Sequence, residues 1–246
     1  MEPYKNKDIT EWKAITEKLV ESHPLRPEIV GICLNSWKSI LAGFINDKLC
    51  LTIGEMKISP QAIGALLHDI IPEYIQKNKI KGFRKGTGGE KDIVSDINEN
   101  DSVELKTSSQ KCIYGNRSYT KSEGGKSKSG FYLAVNFDKM TDNDSPRIQL
   151  IRFGWLDYED WIGQKSESGQ QARLRPEAKE NKLITFYDAF KNDVLGVIEK
   201  SSAELNNSEI AKQLDSTAQK VSGYTKLLLA EGLIERIVMK RKDYWK

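Results

Sequence analysis

Gly86-Thr87-Gly88-Gly89-Glu90-Lys91-Asp92-Ile93-Val94 leads into a polar turn, and the chain resumes as Ser102-Val103-Glu104-Leu105-Lys106-Thr107. Two short apolar groups, Ile93 with Val94 and Val103 with Leu105, flank Asn98-Glu99-Asn100-Asp101. Asn and Asp side chains bond nearby backbone and favour turns, so the pattern predicts a β-hairpin. Strand side chains alternate, which puts Glu104 and Lys106 on one face and Leu105 on the other. Such a hairpin can set Asp92, entering the first strand, across from that pair.

Two carboxylates converging with an ammonium define a chemistry. Carboxylate oxygens are hard ligands suited to Mg²⁺, which keeps several waters and binds a substrate phosphate. The ion lowers the pKa of a bound water and offsets charge building on the phosphoryl oxygens. A lysine beside it orients that water or stabilises the same charge. Asp92 and Glu104 are therefore the candidate metal ligands, and Asp92, Glu104 and Lys106 the candidate catalytic residues, of a phosphodiester hydrolase. A solvated, charged hairpin face yields the same residue types, so spacing alone does not decide. The context adds to it: glycines at 86, 88 and 89 let backbone approach a ligand closely, and the residues after Lys106 are basic and polar.

These residues resemble a known family. Asp92…Glu104-Leu105-Lys106 is similar to the Asp…Glu-x-Lys core of the PD-(D/E)XK nuclease superfamily. The run from Gly82-Phe83-Arg84-Lys85 to Asp92, residues 104–108, Tyr114-Gly115-Asn116-Arg117-Ser118-Tyr119, and residues 129–137 and 151–163 resemble type II restriction endonucleases of the ScaI-like group. Together they cover approximately residues 38–174. Lys91 stands where the superfamily's name has Pro. The resemblance implies an α/β fold, a mixed β-sheet restriction-endonuclease-like core flanked by helices. It implies Mg²⁺-dependent, sequence-specific hydrolysis of phosphodiester bonds in double-stranded DNA. It also implies a further acidic residue before the hairpin: Asp69 and Glu73 are candidates, sharing a helix face at i, i+4, with Glu55 and Glu28 left open. A palindromic target is cut on both strands most simply by a two-fold symmetric pair, so a homodimer is expected.

Composition bounds the rest. At 246 residues, 38% hydrophobic and 30% charged, the chain can bury a real core in one large or two modest domains. No run is long enough to cross a bilayer, and residues 1–9 have no signal-peptide core, so a cytoplasmic protein is expected. A net charge of +3 says little, but its distribution says more. Residues 102–130 carry six Lys or Arg against two Glu, and residues 236–246 carry five against one Asp. Cys33, Cys50 and Cys112 are odd in number and widely spaced, and with His23 and His68 they make no zinc pattern. Reduced thiols are expected.

Apolar residues at helical spacing predict helices over 9–22, 27–45 and, from Ser59-Pro60, through residue 78. Residues 49–53 are ambiguous in type. Residues 107–130 are nearly free of aliphatic side chains and cannot build a core. As a DNA-facing segment, Lys111, Arg117, Lys126 and Lys128 would neutralise phosphates, and Asn116 and Arg117 suit adenine and guanine edges. Residues 131–137 and 147–153 alternate as strands that extend the sheet. Trp155, Leu156, Tyr158, Trp161 and Ile162 read as a short aromatic element packed on it. Polar residues 166–175, with Gln170, Gln171 and Arg173, form a second possible DNA-contacting segment or a solvated loop.

From Thr185 the pattern turns helical and resembles a winged helix-turn-helix. Helices are expected over 186–199, over 207–214 with Asn207 as cap, and over 218–231 capped by Ser216 or Thr217, with Gly232 as the stop. Two strands of a basic wing follow at 233–238 and 240–245. The organisation expected is an endonuclease domain over 1–180 and a small winged-helix domain over 185–246. In that fold the third helix enters the major groove, and Gln219, Lys220, Ser222, Tyr224 and Lys226 are its candidate contacts. Two alternatives remain at this stage. One is a winged-helix transcriptional regulator without nuclease activity; the other is a structure-specific junction nuclease of the same superfamily.

Overall fold

Helix α1 (Ile9–Glu21) starts where Asp8 accepts the Thr10 N–H and Glu11 returns a bond to the Asp8 backbone, a reciprocal cap. Helix α2 (Ile29–Ala42) buries Ile29, Ile32, Cys33, Trp37 and Ile40. It ends short of the expected residue 45 because Gly43 turns extended and releases strand β1 (Phe44–Asn46), which pairs with β2 (Leu51–Thr52). Helix α3 (Pro60–Lys77) is capped by Ser59, with Pro60 in its first turn, where the missing N–H costs nothing. Its Ile63, Leu67, Ile71 and Ile75 recur every fourth residue and are buried. This is a computed structural model; it describes residues 1–46, 48, 51–80, 82–116, 128–142, 145–164, 171–239 and 242–245. The chain divides into two compact units, Met1–Tyr187 and Asp188–Lys246.

The first unit is built on a six-stranded mixed sheet. Strands β3 (Phe83–Lys85), β4 (Ile93–Ser95) and β5 (Val103–Ser108) pair antiparallel in sequence order. Strand β6 (Tyr114–Asn116) leaves for a second sheet. Strand β7 (Gly130–Phe137) runs parallel to β5, and β8 (Ile148–Leu156) returns antiparallel to β7. Then come β9 (Trp161–Gly163), β10 (Gln171–Leu174), the short helix α4 (Pro176–Asn181) and β11 (Ile184–Asp188). The order across the large sheet is β11-β8-β7-β5-β4-β3. This is the expected α/β architecture, a mixed sheet flanked by helices, consistent with a restriction-endonuclease-like core.

Alternation gives the sheet two apolar faces. Val103, Leu105, Phe131, Leu133, Val135, Ile151, Phe153 and Trp155 point to one side and pack with residues of α1, α2 and α3. Phe131 and Phe153 stack there with centroids 5.4 Å apart. Each such ring removed from water contributes roughly 1.5–3 kcal/mol. Tyr132, Ala134 and Leu156 point to the other side, where Ile113, Trp161, Ala172, Ala178 and Leu183 cover them. A small antiparallel sheet, ordered β6-β10-β9, supplies part of that cover.

Three sequence expectations change here. Trp155 and Leu156 belong to β8 itself, because its buried alternation continues to residue 156. Gln171 and Arg173 lie on a strand rather than a loop, since β10 has partners on both edges. Phe186 is not helical: Ile184-Thr185-Phe186-Tyr187 is β-branched and aromatic, forms the edge strand β11, and Phe186 packs edge-on to Phe153.

The second unit holds helices α5 (Ala189–Lys200), α6 (Asn207–Gln213) and α7 (Ala218–Ala230), then the paired strands β12 (Arg236–Met239) and β13 (Lys242–Trp245). Val194, Ile198, Ile210, Val221, Leu228, Ile234 and Trp245 form its core. Asn206, not Asn207, caps α6; the Asn207 carboxamide oxygen instead accepts from Thr225 and from the Trp245 indole. Thr217 caps α7, and Gly232 follows it at φ 70°. No helix among the described residues is long and apolar enough to cross a membrane.

Candidate active site

Asp92 sits one residue before β4, at the end of a loop that returns on itself. The Gly86 N–H donates to the Asp92 carbonyl at 3.0 Å. A Cβ on Gly86 would fall 1.8 Å from the Lys91 carbonyl oxygen, so only glycine fits. The close approach that glycine permits here is therefore to the loop's own backbone. Arg84 grips the same loop, donating to both Glu90 oxygens at 2.7 and 2.9 Å and to Asp96 at 2.9 Å. Bonds from Arg84, then from the Thr87 backbone and hydroxyl, hold the Glu90 carboxyl down at about 2. Lys91 donates to the Ser129 carbonyl at 3.1 Å. That bond ties the loop to the start of β7.

The Asp92 carboxylate reaches β5. Its Oδ2 accepts the Leu105 N–H at 2.7 Å, on the backbone unit between Glu104 and Lys106. Glu104 and Lys106 point to the face opposite Leu105, as alternation requires, and the Lys106 ammonium lies 2.8 Å from Glu104 Oε1. Only 6% of the Glu104 side chain and 12% of the Lys106 side chain are exposed. Tyr132 lies opposite Glu104 in the β5–β7 register, and its hydroxyl donates to the Lys128 carbonyl. Burial first, and then the Glu104 charge, pushes the Tyr132 phenol well above its ordinary value.

The further acidic candidates fare differently. Asp69 pairs with Lys85 at 3.1 Å, and Glu73 pairs with Lys77 at 3.4 Å on its own helix. Neither joins Asp92 and Glu104: among the described residues no group of three or more His, Cys, Asp or Glu is arranged to hold a metal ion. The α3 side chain beside Asp92 is instead His68, whose Nδ1 is 3.9 Å from Asp92 Oδ2. Sequence reasoning missed His68 and Tyr132 in this role, because each is brought there by pairing and packing that no local motif announces. Two carboxylates as the protein's share fit Mg²⁺, which keeps most of its shell as water and substrate oxygen.

Of the candidate DNA contacts, Arg117, Lys126 and Gln170 lie outside the described residues, as does Cys50. Cys33 and Cys112 are free thiols. Lys111, Asn116, Gln171 and Arg173 are exposed and Lys128 is half-buried. Asn116 and Gln171, read from separate segments, are register partners on β6 and β10. In the second unit Gln219, Lys220 and Lys226 are exposed and Ser222 is half-buried. Tyr224 departs from expectation as a surface contact. Its hydroxyl donates to Asp188 at 2.9 Å and its ring meets Phe190 at 4.9 Å, so it packs inward. Five positions this closely spaced cannot share one face of a 3.6-residue helix. Lys220 and Tyr224 turn together to Phe190, with the Lys220 ammonium 3.4 Å from that ring's centre.

Comparison with known proteins shows the family. The family described as ScaI restriction endonuclease matches residues 2–187, ending where the first compact unit ends. Type II restriction enzyme ScaI from Streptomyces caespitosus is 35% identical over 192 residues, 75% of this chain and 84% of that protein. No solved structure matches the chain.

Proposed function

The chain belongs to the ScaI restriction endonuclease family, and from that premise we propose how it works as a type II restriction endonuclease: Asp92, Glu104 and Lys106 are its catalytic residues. One observation carries the assignment. The Asp92 carboxylate is hydrogen-bonded to the strand unit that lies between Glu104 and Lys106, so the two acids and the ammonium are held by one pair of strands.

Asp92 and Glu104 would hold Mg²⁺, which when bound lowers the pKa of a water and offsets negative charge on the phosphoryl oxygens. The protein's own contribution is positioning. The Leu105 N–H fixes one Asp92 oxygen and so sets the orientation of the carboxylate. The Lys106 ammonium, held at Glu104, aims a donor at the attacking water and at charge developing on the phosphate. The Arg84–Glu90–Asp96 network and the Lys91–Ser129 bond hold Asp92 in place before substrate arrives, so little reorganisation is needed at the moment of reaction.

A symmetric duplex target makes a homodimer the natural assembly. The second unit reads as a winged helix that presents Gln219, Ser222 and Lys226 of α7 to DNA. A cytoplasmic location, with the DNA, belongs to the same reading. The test is to incubate the protein with phage DNA and Mg²⁺ and to sequence the fragment ends. Discrete ends from the wild type and none from Asp92→Asn support the assignment. Equal cutting by Asp92→Asn removes Asp92 from it.

A further inference from the structure

We propose that the small β6-β10-β9 sheet is a base-reading ribbon, and that Gln171 and Arg173 on its outward face contact base edges in the major groove of the target. The inference rests on the reading of the chain as a DNA-cutting enzyme and adds which surface supplies sequence discrimination.

Register fixes the two faces of the ribbon. Ala172 lies between Gly115 and Gly163, and Leu174 lies against Trp161. Small residues in the Gly115–Ala172–Gly163 row let the ribbon sit close to the large sheet, where Ala172 and Trp161 join Tyr132 and Ala134 in one core. That is the face of the large sheet to which Glu104 and Lys106 also point, because Glu104 pairs with Tyr132 and Lys106 with Ala134. The ribbon is therefore anchored on the catalytic side of the sheet, and the chain reaches its first strand directly from the catalytic strand β5.

The outward face carries the opposite chemistry. Gln171 pairs with Asn116, and Arg173 lies between Tyr114 and Ile162. Gln171, Arg173, Asn116 and Ile162 are all exposed. The three strands contain no acidic residue, so they themselves set no negative charge against a polyanion. A carboxamide matches the adenine N6–N7 edge and a guanidinium the guanine O6–N7 edge, while an aliphatic side chain suits a thymine methyl. Outward positions two apart on a strand are separated by about 6.6 Å. Base pairs stack about 3.4 Å apart, so Gln171 and Arg173 address positions two base pairs apart. Both stand on a strand paired on each edge, which holds them in register without prior ordering of a loop.

The experiment is a selection of sequences by the full-length protein from a pool of randomised duplexes, repeated with Gln171→Ala and Arg173→Ala. Unfolding midpoints should match wild type, since both side chains are exposed. The expected result is one enriched sequence for wild type. Each variant should then lose preference at one symmetric pair of positions, by on the order of tenfold to a hundredfold, and the two affected positions should lie two base pairs apart. Weaker binding that is uniform across sequences, with the salt slope reduced by about one, would make these phosphate contacts and overturn the proposal. Unchanged preference in both variants, or no enriched sequence from wild type, overturns it as well. Cutting is scored separately on the enriched duplex with Mg²⁺: a wild type that selects but never cuts ends the nuclease reading and leaves the ribbon to be judged by the selection.

Discussion

Asp92 accepts a hydrogen bond from the Leu105 backbone N–H at 2.7 Å, so one oxygen of the proposed metal ligand is also a structural bond between the loop and strand β5. Asp92→Asn keeps a carbonyl oxygen for that bond and removes the charge. Cleavage should fall by on the order of 10²–10³-fold or more, with stability changed by no more than about 1 kcal/mol. Asp92→Ala removes both functions and should cost about 1–3 kcal/mol in addition, because the Leu105 N–H loses its acceptor. Plasmid cutting and urea unfolding of the two variants separate these roles. An asparagine variant that cuts normally would leave Asp92 a structural residue only.

Gly86 makes a second, steric test of the same site. A methyl group there meets the Lys91 carbonyl, which is backbone and can move only by shifting Asp92. Gly86→Ala should reduce cutting at least tenfold with every catalytic side chain present, and destabilise by about 1–3 kcal/mol. Gly89 has open space around it and an ordinary φ, so Gly89→Ala should leave both quantities near wild type. Similar kinetics for the two variants would show that the loop's path does not position Asp92.

His23 gives the first unit a defined acid sensitivity. It is 3% exposed, its Nδ1 accepts the Leu25 N–H at 3.2 Å, and its Nε2 faces the Asp101 carbonyl at 3.0 Å, which fits the neutral ring with the proton on Nε2. Burial pulls it from 6.5 down to about 4. Between those values the unfolded chain binds a proton that the folded chain does not, so stability falls as pH is lowered through that window and is insensitive to this group above it. The loss should approach about 3 kcal/mol by pH 4. Glu90, held down at about 2, acts in a separate window: its contribution is present above the ordinary carboxyl value of 4.5 and is lost toward pH 2. Urea titrations at pH 7.5, 6 and 5 check this. A wild-type profile as flat as that of His23→Gln would refute the assignment to His23.

The hairpin around Asp92 and Glu104 was legible in the sequence because period-two alternation and an Asn/Asp turn are local signals. So were α1 and α3, whose caps and apolar spacing agree. The β6-β10-β9 ribbon was not legible. Its strands are three or four residues long, contain Gly and polar side chains, and pair Asn116 with Gln171 across a long stretch of chain, so no window of sequence holds both partners. No local motif marks His68, since its place beside Asp92 depends on how α3 lies against the sheet. At Phe186 helical spacing with later residues competes with a stronger β-branched and aromatic run, and sheet pairing wins.

The faces of α7 give the last prediction. Tyr224 bonds Asp188 and packs on Phe190, whereas Gln219 and Lys226 are exposed, and Ser222 lies between them on the same face. If this unit binds DNA as a winged helix, Lys226→Ala should weaken binding for all sequences and lower the salt slope by about one, while Gln219→Ala should change preference at particular positions. Tyr224→Phe should do neither. It removes a bond to a half-buried carboxylate and should cost about 1–2 kcal/mol of stability, read as a lower unfolding midpoint with binding unchanged. The pattern distinguishes a DNA-reading helix from a protein-contacting one. A Lys226→Ala variant with wild-type affinity and salt dependence, together with a silent Gln219→Ala, would assign α7 to protein contact and leave DNA recognition to the first unit.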